Sequence, residues 1–99
     1  MRFDILPSRA KASELFVDLQ TELLDDLTTR VVAPLVRRRP DMRLIARLHP
    51  VFRFRDQEHV LLTHAIVAVP RSRLGEPVGS LAEEHDAISH ALDKLFLGF

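Results

Sequence analysis

Apolar and polar residues alternate through the first two-thirds of the chain and change to a three-and-four spacing near its end, which predicts a sheet followed by one helix. From Arg2 to Leu6 the alternation puts Phe3 and Ile5 on one side, until Pro7-Ser8-Arg9 interrupts it, so a short first strand and a loop are expected. Leu15, Val17 and Leu19 then alternate with Phe16, Asp18 and Gln20, the period of a second strand. Leu23, Leu24 and Leu27 have helical spacing, but the stretch from Thr21 to Thr29 is too short for a self-supporting helix and reads as a loop.

The β-branched run Val31-Val32-Ala33-Pro34-Leu35-Val36 is a third strand. Pro34 has no N–H to give to a ladder, which predicts an edge strand or a bulge there. Arg37-Arg38-Arg39-Pro40-Asp41 ends it. Leu44 to Leu48 and Val51 to Phe54 give two further strands on either side of Pro50, and Asp56-Gln57-Glu58 reads as a hairpin tip. His59 to Val69 is apolar enough for a central strand, before Gly75, Pro77 and Gly79 mark a loop.

Ser80 followed by Glu83 has the spacing of a capping box, in which each side chain satisfies a helix-end N–H near the other, so a helix is expected to start there. Leu81, His85, Ile88, Leu92, Leu95 and Phe99 recur along it as one stripe, with Phe96 beside Leu92, and that face is expected on the sheet. At about 100° per residue, Leu97 falls on the opposite face with His90, Asp93 and Lys94. An exposed leucine is the consequence.

Composition narrows the picture. A chain of 99 residues, 46% hydrophobic and 28% charged, suits one domain over residues 1–99 and neither disorder nor a low-complexity polymer. The absence of cysteine removes disulfides, thiol nucleophiles and cysteine-bound zinc, and fits a cytoplasmic protein. Met1-Arg2-Phe3-Asp4 lacks the apolar stretch of a secretory signal, and no run reaches the length of a membrane span, so no membrane association is expected. Net charge is +0, which leaves nucleic-acid or membrane attraction to local patches.

Candidate chemistry is sparse. His59 and His64 are five apart, which in a strand puts them on opposite faces, and His85 and His90 miss the i, i+4 spacing of a helical zinc site. Neither a metal nor a cofactor is expected, and His85 reads as a partly buried helix residue with a local hydrogen bond. The serines form no nucleophile elbow, and three glycines make no phosphate loop. Asp25-Asp26 and Glu83-Glu84 read more simply as a solvated turn and an acidic first helical turn than as an acid–base pair. Arg37-Arg38-Arg39 is either a solvated turn or a clamp for phosphates.

The order of several short motifs nonetheless resembles one family. Met1-Arg2-Phe3, Leu15-Phe16-Val17-Asp18-Leu19-Gln20, Leu23-Leu24-Asp25, Arg30-Val31-Val32-Ala33-Pro34-Leu35, Leu48-His49-Pro50-Val51, Val67-Ala68-Val69-Pro70, Leu74-Gly75-Glu76 and the ending Leu95-Phe96-Leu97-Gly98-Phe99 are similar, in sequence and spacing, to CcdB, the toxin of a type II toxin–antitoxin pair that poisons bacterial DNA gyrase. The resemblance covers almost the whole chain. It implies a mostly β fold with a C-terminal α-helix, a small SH3-like barrel or sheet, forming a homodimer. It also implies a non-enzymatic mechanism: the dimer inserts between gyrase A subunits and traps the cleaved-DNA complex. A disordered CcdA-like antitoxin would neutralise the toxin, and operator DNA would be bound only through the antitoxin complex, which represses transcription.

By the same resemblance the gyrase-binding residues match Leu23, Leu24 and Asp25 in the loop after the second strand, and Asp93, Phe96, Leu97, Gly98 and Phe99 in the tail. The family's terminal triplet of tryptophan, glycine and isoleucine is Leu97, Gly98 and Phe99 here. A leucine cannot stack on a guanidinium, a contact worth about 0.5–2 kcal/mol. Asp93 adds a charge where the family has a neutral amide. The departure opens an alternative, a non-toxic or retargeted relative acting as antitoxin-binding co-repressor.

Overall fold

The computed structural model describes residues 1–99. Seven strands and one α-helix follow one another as β1 (Asp4–Pro7), β2 (Leu15–Asp18), β3 (Thr29–Arg37), β4 (Val51–Phe54), β5 (Gln57–Leu61), β6 (Val67–Pro70), β7 (Gly79–Ser80) and α1 (His85–Leu97), with short 3₁₀ turns between several of them. The sheet is antiparallel, in the order β4-β5-β3-β2-β1-β7, with β6 also on β3. The expected mostly β fold with a C-terminal helix is what forms.

β3 organises the sheet. One edge pairs with β2, from Leu15 opposite Leu35 to Asp18 opposite Val32. Its other edge is divided, with Leu35, Val36 and Arg37 on β5 and Thr29 to Val32 on β6. Pro34 falls where β5 hands over to β6, and its carbonyl accepts from Leu62 N–H at 2.9 Å. Its missing N–H is therefore absent from a gap in the ladder and leaves no partner orphaned. The strand is central, which corrects the expected edge position or bulge.

Other boundaries move for local reasons. Phe3 has a φ of 69°, outside the extended region, so β1 begins at Asp4 and not at Arg2. Leu44 to Leu48 is no strand: Leu48 and His49 N–H both donate to the Ile45 carbonyl, closing a turn. The hairpin tip is Arg55-Asp56, both at positive φ, and Gln57 and Glu58 already belong to β5. The run His59 to Val69 is broken by a 3₁₀ turn at Thr63–Ala65, which lets its two halves meet different stretches of β3.

The capping box does not form. Ser80 is still paired with Asp4 in β7, and its Oγ accepts from Ala82 N–H at 3.1 Å, so a 3₁₀ turn intervenes and α1 starts at His85. The helix buries Ile88 and Ala91 and half-buries Ala87, Leu92 and Leu95 against the sheet. His85 and Phe99 drop out of the expected stripe; both are exposed, and His85 contacts Asp86 at 3.2 Å. The main core joins Ile5, Val17, Leu35, Leu61 and Ile88, while Leu6, Val32 and Leu74 form a smaller cluster. No helix is long and apolar enough to cross a membrane.

Candidate functional site: a clamped loop and an exposed tail

The loop after β2 is anchored by side chains from three elements. Gln20 donates from Nε2 to the Leu24 carbonyl at 2.9 Å and accepts Val31 N–H at 3.1 Å. Arg30 reaches from β3 to Asp18 at 2.5 Å and to Asp25 at 2.6 Å. Arg71, from the 3₁₀ turn after β6, donates to the Asp25 carbonyl. A 3₁₀ turn at Glu22–Leu24, opened by Thr21, completes the loop. The result is a fixed knuckle that shows Leu23 almost entirely, at 91% exposure, with Leu24 half open at 47%.

The charges fit that anchoring. Asp25 is held below the ordinary carboxylate range, chiefly by its hydrogen bond from Arg30. Burial of Arg30 disfavours its charge, but the hydrogen bonds with Asp25 and Asp18 outweigh it and raise its pKa. Asp25 is thus engaged in fixing the loop as well as lying beside the exposed leucines.

The tail is open too. Phe96, Leu97 and Phe99 are 68%, 60% and 80% exposed, and Asp93 is exposed beside them. Phe96 therefore does not pack beside Leu92 in the core. Gly98 adopts a φ of 83° and donates its N–H to the Lys94 carbonyl at 3.1 Å, ending the helix in the left-handed conformation that glycine takes most easily. Phe99 lines a cleft with Arg47, Pro50, Ala87 and His90, whereas Asp25 lines another with Arg30 and Arg71. The loop and the tail thus line different clefts of the chain.

Two features were missed in the sequence. Asp18 and Gln20 fell on the polar side of the second strand's alternation and Arg30 just before the third strand, yet all three are buried. Asp18 lies opposite Val32, and Arg30 is two residues from Val32, so the register puts an acid and a base on one face; polar residues of opposite sign in adjacent apolar strands were the available signal. The second is a histidine pair. His64 sits in the 3₁₀ turn, not in a strand, with Nδ1 2.7 Å from Nε2 of His49. Ile45 N–H donates to Nδ1 of His49, so His49 carries its proton on Nε2 and gives it to His64. Burial, and then the neighbouring His64, lower the His49 pKa. No group of three or more histidines and carboxylates is close enough to hold a metal ion.

The CcdB protein family model matches residues 2–98. The chain belongs to the CcdB family. Membership supports a toxin, and with it an antitoxin partner. Among solved structures, the Mycobacterium tuberculosis toxin MazF-mt6 is similar at 22% identity over 94% of this chain and 95% of its own, with a TM-score of 0.77. A second structure, an Mtb toxin, aligns at 20% identity over 93% of this chain and 99% of its own, with a TM-score of 0.74. At those identities the likeness is one of fold: the same half-barrel sheet with a terminal helix carries this CcdB chain and both toxins.

Proposed function

We propose that this CcdB-family chain is a cytoplasmic toxin that binds the gyrase A subunit and traps the cleaved-DNA complex, without catalysing a reaction itself, until a CcdA-like antitoxin removes it. The observation that supports this most is the exposure of Leu23, Leu24, Phe96, Leu97 and Phe99, five large apolar side chains left outside the core at the two positions that match the family's gyrase-binding residues. Asp25 accompanies the two loop leucines, and Asp93 and Gly98 accompany the tail residues. A homodimer brings two copies of loop and tail to one target, and operator DNA is met only through the antitoxin complex, as transcriptional repressor.

The experiment is binding of the full chain to a gyrase A breakage-reunion fragment by calorimetry, compared with Leu97→Trp and with a variant lacking Leu97 to Phe99. Leu97→Trp should tighten binding, by about tenfold if a full cation–π contact is regained, and the truncation should abolish it while circular dichroism stays unchanged. Equal binding by wild type and truncated protein, or no binding by either wild type or Leu97→Trp, overturns the gyrase reading. Leu97 in place of the family tryptophan favours a second reading, a non-toxic or retargeted co-repressor, which predicts antitoxin binding without growth arrest.

A further inference from the structure

The neutral total charge conceals a local excess. Seven of the 14 cationic side chains are arginines between residues 37 and 55, and up to residue 58 only Asp41, Asp56 and Glu58 oppose them, which leaves seven cations against 11 acids in the rest of the chain. All seven arginines are exposed. A cleft of about 440 Å³ gathers Arg37, Arg38 and Arg39 with Pro40, Gln57 and Glu58.

Strand register adds a fourth cation to this corner of the sheet. Arg38 prolongs the β3–β5 ladder by one rung, its N–H donating to the Glu58 carbonyl at 3.0 Å, and Arg53 lies directly opposite Glu58 on β4. Residues opposite one another in antiparallel strands share a face, so Arg38, Glu58 and Arg53 form one row. The backbones of its outer members are roughly 10 Å apart, given about 4.8 Å between neighbouring strands. Arg38 meets Glu58 at 3.3 Å and Arg39 meets Asp41 at 3.5 Å, but these side chains are half exposed or more, and such solvated pairs exchange partners at little cost. Arg37 and Arg53 have no ion pair.

We propose that this corner binds the phosphate backbone of duplex DNA, with Arg37, Arg38, Arg39 and Arg53 as its contacts. The lining of the cleft selects that occupant, because it holds no hydrophobic side chain. A single strand needs a ring on which its bases stack, and a peptide needs pockets for its apolar side chains. A duplex keeps its bases inside and offers a dense row of charge. Arginine occupies all four positions, and its planar fork can hold one phosphate through two N–H groups at once. Contacts to phosphates read no sequence, so they add affinity for DNA that the antitoxin has already chosen and do not select the operator. The proposal needs no contact with gyrase, and its test is independent of that reading.

The test is fluorescence anisotropy of the full chain with a labelled DNA duplex of mixed sequence across a salt series. Unlabelled single strand, a glutamate-rich peptide and phosphatidylserine vesicles are the competitors. Four neutralised phosphates give a slope of log affinity on log salt of about −3.6, or roughly a hundredfold loss between about 50 and 200 mM. Arg37→Gln with Arg53→Gln should reduce that slope to about −1.8. Arg37→Lys with Arg53→Lys keeps the charges and should keep the slope. Arg47→Gln with Arg73→Gln removes equal charge from two other clefts and should also leave the slope unchanged. Circular dichroism checks that each variant is folded. Absence of duplex binding at the lowest salt overturns the proposal, as does a slope that the Arg37 and Arg53 glutamine variant leaves unchanged or that the Arg47 and Arg73 variant reduces equally. A single strand, peptide or vesicle that competes as well as unlabelled duplex overturns it too.

Discussion

Nη1 of Arg30 lies 2.6 Å from Oδ1 of Asp25, and the contact ties the loop bearing Leu23 and Leu24 to the central strand of the sheet. The other arm of the same guanidinium reaches Asp18, which is 1% exposed. Arg30→Met therefore leaves the buried Asp18 carboxylate with only the N-terminal ammonium, 3.9 Å away, as a cation, at an expected cost of about 3 kcal/mol, read from urea unfolding. Asp25→Asn should cost much less stability, since Asp25 is half open, yet it should speed proteolysis within residues 21–27.

The same pair gives an acid-side dependence. A carboxyl whose folded pKa lies below its unfolded value binds fewer protons when folded, so its contribution is full above the unfolded pKa of about 3.9 and is lost as pH falls through the folded value. The stability difference between wild type and Asp25→Asn should be present at neutral pH and vanish in acid. A difference that persists unchanged at the lowest accessible pH would count against the linkage.

His49 acts at milder pH. Its folded pKa is lowered, so below the unfolded value of about 6.5 the unfolded chain takes up a proton that the folded chain still refuses. Its stabilisation is present above that value and is lost as pH falls towards the folded pKa. His49→Gln should reduce the slope of stability against pH between neutrality and about pH 5. Nitrogen NMR of the imidazoles should find the His49 proton on Nε2, given the Ile45 N–H at Nδ1.

Ile88 and Leu97 lie nine residues apart on α1 and test opposite faces. Ile88 is fully buried in the core shared with Ile5 and Leu61, so Ile88→Ala should cost about 2–5 kcal/mol. Leu97→Ala should change stability by less than about 0.5 kcal/mol. Thermal unfolding separates them.

Asp56, with a φ of 62°, holds a left-handed conformation that costs a non-glycine residue about 1–2 kcal/mol. Asp56→Gly should recover about 1 kcal/mol by the same term and raise the melting temperature. A lowered melting temperature would mean that the Asp56 side chain contributes more than its backbone strain costs.

Much of the fold was legible because alternation is a local property: Leu15 with Val17, and Val51 to Phe54, announce strands from their own residues. Pro34 misled because the restriction it signals is relative to a neighbour, and the gap between β5 and β6 that receives it depends on where residues 63–65 turn. Ser80 and Glu83 misled for a similar reason, since pairing of Ser80 with Asp4, 76 residues earlier, outcompetes a local cap. At the candidate site, Leu97 could be placed outward from helical geometry alone. Arg30 could not, because its two acidic partners are joined to it only by strand register and loop closure.

The division of β3 between two partners also orders events during synthesis. Residues 4 to 37 can pair among themselves as the first three strands, but one half of β3 waits for β5 and the other for β6, which ends at Pro70. The outer edge of β1 waits longer, for Gly79 and Ser80, and the core face waits for Ile88. A nascent chain therefore exposes apolar sheet until residues through Ile88 have been added, and only then can it fold into the state that meets its partners.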